Sequence, residues 1–160
     1  MSSDPPPPGE QPGPALLDEL LCFDLYAASR AVTAAYRPLL EPLGLTYPQY
    51  LVMVLLWQRE TASVRDVIDS LQLEYGTVSP LLKRLQARGL LTRARNVSDE
   101  RSVMVSLTDA GRELAHDAAH VPTAVRVAMG LSEAEVPDVR AFLRTISTSA
   151  SRTADGQKTE

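Results

Sequence analysis

The sequence predicts a mainly α fold with a small β-hairpin wing (α+β): a helix-turn-helix, then a two-stranded ribbon, held between helices at the two chain ends that pair one copy with another. Three observations carry that prediction. Apolar residues recur at helical spacing over most of the chain, and clear period-two alternation is confined to one short stretch around Val105. Polar breaks fall so that helix, turn, helix and ribbon follow one another between residues 47 and 107. The helices at both ends are amphipathic yet have no intrachain surface to cover, which points to a two-fold dimer formed by N- and C-terminal helices.

In chain order, residues 1–14 carry Pro5, Pro6, Pro7 and Pro8, then Gly9, Pro12, Gly13 and Pro14, and this arm is expected to be disordered because it can neither form helix nor bury apolar area. A long helix is expected over 15–40, with Leu17, Leu21, Leu25, Ala28, Val32 and Leu39 at helical spacing and Pro38 and Pro42 ending it. With the turn after it, this is the N-terminal dimerisation and sensor segment, 15–46. A second helix over about 48–59 is apolar nearly all round (Leu51, Val52, Val54, Leu55, Leu56, Trp57), as a buried central element should be.

Ser63 followed by Asp66 reads as the cap of a short helix that carries Val67, Ile68 and Leu71 inward. After a turn over 72–76, a further helix is expected from Thr77 to Arg88, stopped at Gly89. Strands at 90–95 and 102–107 follow, with the polar run Asn96, Val97, Ser98, Asp99, Glu100 as the tip between them; these close a winged-helix unit over 47–107. Thr108 caps a helix expected to run to about Gly130, and Ser132 with Glu135 forms a capping box for a last helix with Val136, Val139, Leu143 and Ile146 on one stripe. Residues 108–150 are thus read as C-terminal dimerisation helices, and 151–160 as a loose tail.

Composition excludes several classes. At 160 residues one core is expected. The start of the chain lacks the basic and apolar stretches of a secretory signal, and no apolar run approaches the roughly 18 residues of a membrane span, so a cytoplasmic protein with no membrane partner is expected. Cys22 is the sole cysteine. It cannot form an internal disulfide, and the thiol is either inert or specifically reactive.

Helix, turn, helix and ribbon is the order of a winged helix, whose second helix enters the DNA major groove while the ribbon tip reaches the backbone. The charge map agrees: the chain carries a net −4, yet between Tyr75 and Ser98 there are five basic residues, Lys83, Arg84, Arg88, Arg93 and Arg95, and no acidic ones. Thr77, Ser79 and Pro80 at the start of the reading helix complete the expected DNA-binding set, together with Arg101 and Asp99 at the hairpin tip, where the aspartate can orient the arginine. The partner is then double-stranded DNA with an inverted-repeat operator, read by a homodimer at half-sites about one helical turn apart.

Four stretches carry a resemblance: LCFDLYAASR at 21–30, YRPLLEPLGLTYPQYLVMVLLW at 36–57, GTVSPLLKRLQARGLLTRAR at 76–95 and DERSVMVSLTDAG at 99–111. On these the chain resembles the MarR family, and within it the organic hydroperoxide regulators (OhrR), of the type with one cysteine. The resemblance covers roughly residues 20–143. It implies a repressor, not an enzyme, that needs no cofactor and releases its operator when an organic hydroperoxide oxidises Cys22, with Tyr36 and Tyr47 hydrogen-bonding the reduced thiol. If Cys22 and Tyr36 share one straight helix, fourteen residues part them by about 21 Å, so the phenol would have to come from the other copy. Cys22, Tyr26, Ser29, Thr33 and Tyr36 share a stripe rich in hydroxyls, which adds Tyr26 to the redox-sensing set. Phenolic donors favour the thiolate, and without a second cysteine the sulfenic acid would persist until a low-molecular-weight thiol caps it. Tyr75 departs from the family, which usually has a small hydroxyl residue there.

Two other readings use the same residues. A thiol peroxidase would share the chemistry of Cys22 but leave a reading helix unexplained. A repressor of the same family could instead keep Cys22 structural and sense a small aromatic ligand. His116 and His120, four apart beside Asp117, have a spacing that suits zinc, but no third ligand is evident, so they are read as exposed helix histidines and no metal is expected.

Overall fold

Seven helices and three short strands account for most of the residues described, 16–95 and 102–156, in a computed structural model. The chain divides into two units, one ending at Ala34 and one beginning at Ala35. The first holds a 3-10 turn, Leu17–Glu19, and most of helix α1 (Leu21–Leu40). The single helix expected from residue 15 is therefore interrupted: Leu20 is extended at φ −88° and ψ 105°, and no side chain caps the turn before it. Leu17, Leu21 and Tyr26 are all more than half exposed.

In the second unit, helix α2 (Tyr47–Arg59) is the centre of the core, as expected, burying Tyr50, Val52, Met53, Leu55 and Leu56. Its start is fixed by Gln49, whose side chain, itself buried, accepts from the Thr46 amide at 2.9 Å. Pro38 does not end α1, which continues to Leu40. Against α2 pack α3 (Val64–Leu71), through fully buried Val67, and α4 (Tyr75–Ala87), through Val78, Leu81, Leu82 and Leu85. The Ser63 cap forms as expected, with the Asp66 amide donating to Ser63 Oγ at 3.0 Å and the Ser63 amide donating to the Asp66 carboxylate at 2.9 Å.

The expected ribbon is present as β2 (Leu91–Arg95) and β3 (Val103–Leu107), but β3 has a second neighbour. Strand β1 (Thr61–Ser63) pairs antiparallel on its other edge, giving the order β1-β3-β2 with Ala62 and Arg93 both opposite Val105. Three residues are too short for an alternation to show, and the strand is made by tertiary pairing. Glu60, at φ 62°, turns the chain into it, and the Leu107 amide donates to the Glu60 carbonyl at 3.1 Å.

The helix expected from Thr108 to Gly130 is two helices, α5 (Asp109–Ala118) and α6 (Val121–Ala128). Pro122 stands in the first turn of α6, where its missing amide hydrogen is harmless, but the same residue could not continue α5. The break places His116 in α5 and His120 at the N-cap of α6, so the two histidines are not four apart on one continuous helix. Two contacts seat α5 on the core: the Trp57 indole donates to the Gly111 carbonyl at 2.7 Å, and a Cβ at Gly111 would collide with the Leu90 carbonyl, so only glycine fits.

Helix α7 (Val136–Gly156) runs through residues 151–156, where a loose tail was expected. Only half of the expected capping box forms at Ser132 and Glu135: the Ser132 amide and hydroxyl donate to the Glu135 carboxylate at 2.8 and 2.6 Å, whereas the Glu135 amide donates to the Ser132 carbonyl at 3.3 Å, and the helix proper begins at Val136. No side chain of α7 described here is buried. The expected arm 1–14 and the hairpin tip, with Asp99 and Arg101, lie outside the described residues. No described helix is long and apolar enough to cross a membrane.

Candidate nucleic-acid interface and sensor thiol

The inner side of α4 is set by Val78, Leu81, Leu82 and Leu85, so the helical period turns Gly76, Pro80, Lys83 and Ala87 outward. Thr77 and Arg84 lie on one flank of that outward face, and Tyr75, Ser79 and Gln86 on the other. Thr77, Pro80, Lys83 and Arg84 are exposed, and so is Arg95 at the end of β2. None of these cations forms an ion pair among the described residues.

The remaining basic candidates are engaged by the protein itself. Arg88 donates to the carbonyls of Gly44 and Leu43, the latter at 3.0 Å, which ties the turn before α2 to the end of α4. Arg93 donates to the Gln86 side chain at 2.6 Å and so braces strand β2 against α4. Both side chains therefore hold the reading helix to its neighbours. Ser79 is partly covered, in a groove of about 510 Å³ between α3, α4 and the ribbon that it shares with Tyr75, Ile68, Leu82, Arg93 and Val103. Tyr75 is 67% exposed at the first residue of α4.

In the first unit, Cys22 is exposed on α1, one helical turn before Tyr26. The Tyr26 hydroxyl accepts from Arg30 at 3.0 Å, and the guanidinium sits 5.6 Å from the ring centre, a combined hydrogen bond and cation–π contact. The Thr33 hydroxyl donates to the Ser29 carbonyl at 2.8 Å, so this member of the hydroxyl stripe is satisfied along its own helix.

In the second unit, Tyr36 and Tyr47 are brought together, with ring centres 4.3 Å apart and planes tilted by 33°. Tyr50, which sequence reasoning missed, completes the cluster 5.7 Å from Tyr36 and leads on to Trp57 at 6.0 Å. Its signal was the three-residue spacing from Tyr47, which puts both on one face of α2. Burial pushes the Tyr36 phenol up to about 12, with help from the neighbouring Tyr47 and Tyr50, and burial raises Tyr47 as well. These phenols remain protonated donors across the physiological range.

Tyr36 also borders a groove of about 780 Å³ whose other walls include Val125, Arg126, Met129, Val139 and Arg140. The described residues contain no group of three or more metal-ligating side chains.

The family model described as transcriptional regulator SarA/Rot matches residues 34–118. Over 124 residues, 78% of this chain and 82% of the relative, the sequence is 45% identical to the organic hydroperoxide resistance transcriptional regulator of Bacillus subtilis (strain 168). The fold is similar to that of reduced AbfR of Staphylococcus epidermidis bound to DNA, with a TM-score of 0.72 and 28% identity over 83% of this chain and 91% of that one. It is also similar to BpsR of Bordetella bronchiseptica, whose DNA binding is regulated by 6-hydroxynicotinic acid, with a TM-score of 0.76 and 28% identity over 84% and 98% of the two chains.

Proposed function

The chain belongs to the MarR family of winged-helix transcriptional regulators, and from that premise we propose that it is a homodimeric repressor that releases an inverted-repeat operator when an organic hydroperoxide oxidises Cys22. The observation that carries the peroxide reading is the 45% identity to a hydroperoxide resistance regulator over a span that includes most of the described chain. Two features of the molecule support it. The lone thiol stands exposed on α1, and Tyr36 and Tyr47 form a stacked, protonated pair suited to donating to a thiolate.

The proposed reading heads are the two α4 helices, with Thr77, Ser79, Pro80, Lys83 and Arg84 at bases and phosphates, Arg95 at the end of β2, and Asp99 and Arg101 from the sequence between β2 and β3. Arg88 and Arg93 act by holding α4 in place. In the sensor step, the Cys22 thiolate attacks one peroxide oxygen and the O–O bond breaks. The alkoxide takes a proton and leaves as the alcohol, and the sulfur keeps the oxygen as a sulfenic acid. A low-molecular-weight thiol then condenses with it, releasing water and leaving a mixed disulfide. Phenols from the second copy hold the reduced thiolate, and the added bulk displaces them and tilts the heads apart. The unburied apolar side chains of the end helices, among them Leu21 and Phe142, are the surface a second copy would cover.

A second reading rests on the groove beside Tyr36, whose apolar walls and arginines suit a small aromatic acid. One titration separates the two. Operator binding is followed by gel shift for wild type and Cys22→Ser, with and without cumene hydroperoxide or an aromatic carboxylic acid. Release of wild type alone by peroxide is expected. Peroxide-insensitive binding that the acid abolishes in both proteins would replace the redox reading with the ligand reading.

A further inference from the structure

Gly76 has no reason to be glycine within this chain. Its φ is not positive, unlike those of Gly44, Gly89 and Gly130, and a Cβ added to it would meet no atom within 4 Å. Gly76 is the second residue of α4, in its first turn, where glycine forgoes the backbone restriction that alanine would supply and gains nothing in packing. Beside it stands Tyr75, the largest exposed side chain of the helix, its ring outside the core at the mouth of the groove formed by α3, α4 and the ribbon. An unneeded glycine and an uncovered aromatic ring are therefore adjacent, at the end of the reading helix that enters the groove first.

We propose that Tyr75 and Gly76 together read one thymine in each half-site: the missing side chain at Gly76 lets the duplex approach the helix backbone, and the Tyr75 ring then packs on the thymine C5-methyl group. The inference rests on α4 being the DNA-reading helix and adds the specificity that this chain's own residues give it. A ring in this position discriminates by apolar contact, so the hydroxyl is dispensable.

The test uses the full-length protein and an inverted-repeat duplex from its own upstream region, in which each thymine is replaced in turn by deoxyuridine. For wild type, one position per half-site should lose about fourfold in affinity, the worth of one methyl group removed from water. Tyr75→Phe should keep that sensitivity, and Tyr75→Ser should abolish it. Gly76→Ala should raise the melting temperature by about 2 °C while weakening operator binding on the order of tenfold. A wild-type protein that binds tightly but shows no methyl-sensitive position overturns the inference alone. So does a Tyr75→Phe variant that behaves as Tyr75→Ser, because the hydroxyl would then be gripping a phosphate. Unimpaired binding by Gly76→Ala also overturns it. Wild type that binds no duplex removes the underlying DNA reading, and this inference with it.

Discussion

Helix α2 is apolar nearly all round and buries six of its side chains within the chain, whereas the amphipathic helix α7 buries none of those described. The winged-helix region closes its own core: Ser63 caps α3, Gln49 and the Trp57 indole have partners, and no buried side-chain polar atom among the described residues lacks one. On α7, Phe142 is 61% exposed and Leu143 nearly half exposed, while in the separate first unit Leu21 is 64% exposed. A helix draws most of its stability from the apolar face it buries. The comparison teaches that the winged-helix region is complete in one chain and that the end helices are not, so the proposed pairing of two copies and the proposed sensor thiol Cys22 would reside in the incomplete part, while the Tyr47 phenol would come from the complete one.

The largest effect should come from the complete region. Leu56, fully buried at the centre of α2, should destabilise the fold by about 2–5 kcal/mol when changed to alanine, read as a lower denaturant midpoint with unchanged slope. A loss of only a few tenths would mean that the winged helix is not the self-sufficient core. On the other side of the comparison, Phe142→Asp should leave that midpoint nearly unchanged in dilute monomer but weaken self-association by on the order of thirtyfold, measured by analytical ultracentrifugation. A variant that sediments like wild type at every concentration would show that α7 is not where copies meet.

The same contrast explains how much was legible in the sequence. The Ser63 cap, the central core helix α2 and the alternating strand β3 depend on local pattern, and all appear where the residues put them. Strand β1 was invisible because its three residues have no period of their own and exist only through pairing with β3. The break between α5 and α6 carried a signal, Pro122, that was outweighed by continuous apolar spacing on either side. Among the site residues, exposure on α4 followed from the helical period, but the engagement of Arg88 by the Leu43 and Gly44 carbonyls did not, since it joins residues 45 and 44 positions apart. Tyr50 carried one signal, its three-residue spacing from Tyr47 on α2, but that spacing does not by itself tell a core tyrosine from a member of the Tyr36–Tyr47 cluster.

The smallest effect offers the finest comparison, between two serine–carboxylate contacts, a complete capping box at α3 and a half-formed one before α7. Ser63 holds the Asp66 carboxylate at α3, and Ser132 holds Glu135 just before α7; in each, side-chain and backbone hydrogen bonds from the serine keep the acid below its ordinary value, 3.8 for Asp66 and 4.5 for Glu135. A folded-state pKa below the unfolded one means that the contribution is present above those ordinary values and is lost as pH falls through the lower, folded ones. Both boxes should therefore stabilise at neutral pH and fade at strongly acid pH. They should differ in what they stabilise. Val67 ties α3 into the core, so Asp66→Asn should lower global stability by about 0.5 kcal/mol at pH 7, a figure kept small by the exposure of the carboxylate, and the difference from wild type should vanish in acid. Glu135→Gln should leave the global midpoint where it was and appear only as faster amide exchange in the first turn of α7, since nothing buried in the chain depends on that turn. Equal shifts of the global midpoint for both variants would mean that α7 unfolds with the winged helix, and that the division between the complete and incomplete regions does not hold in solution.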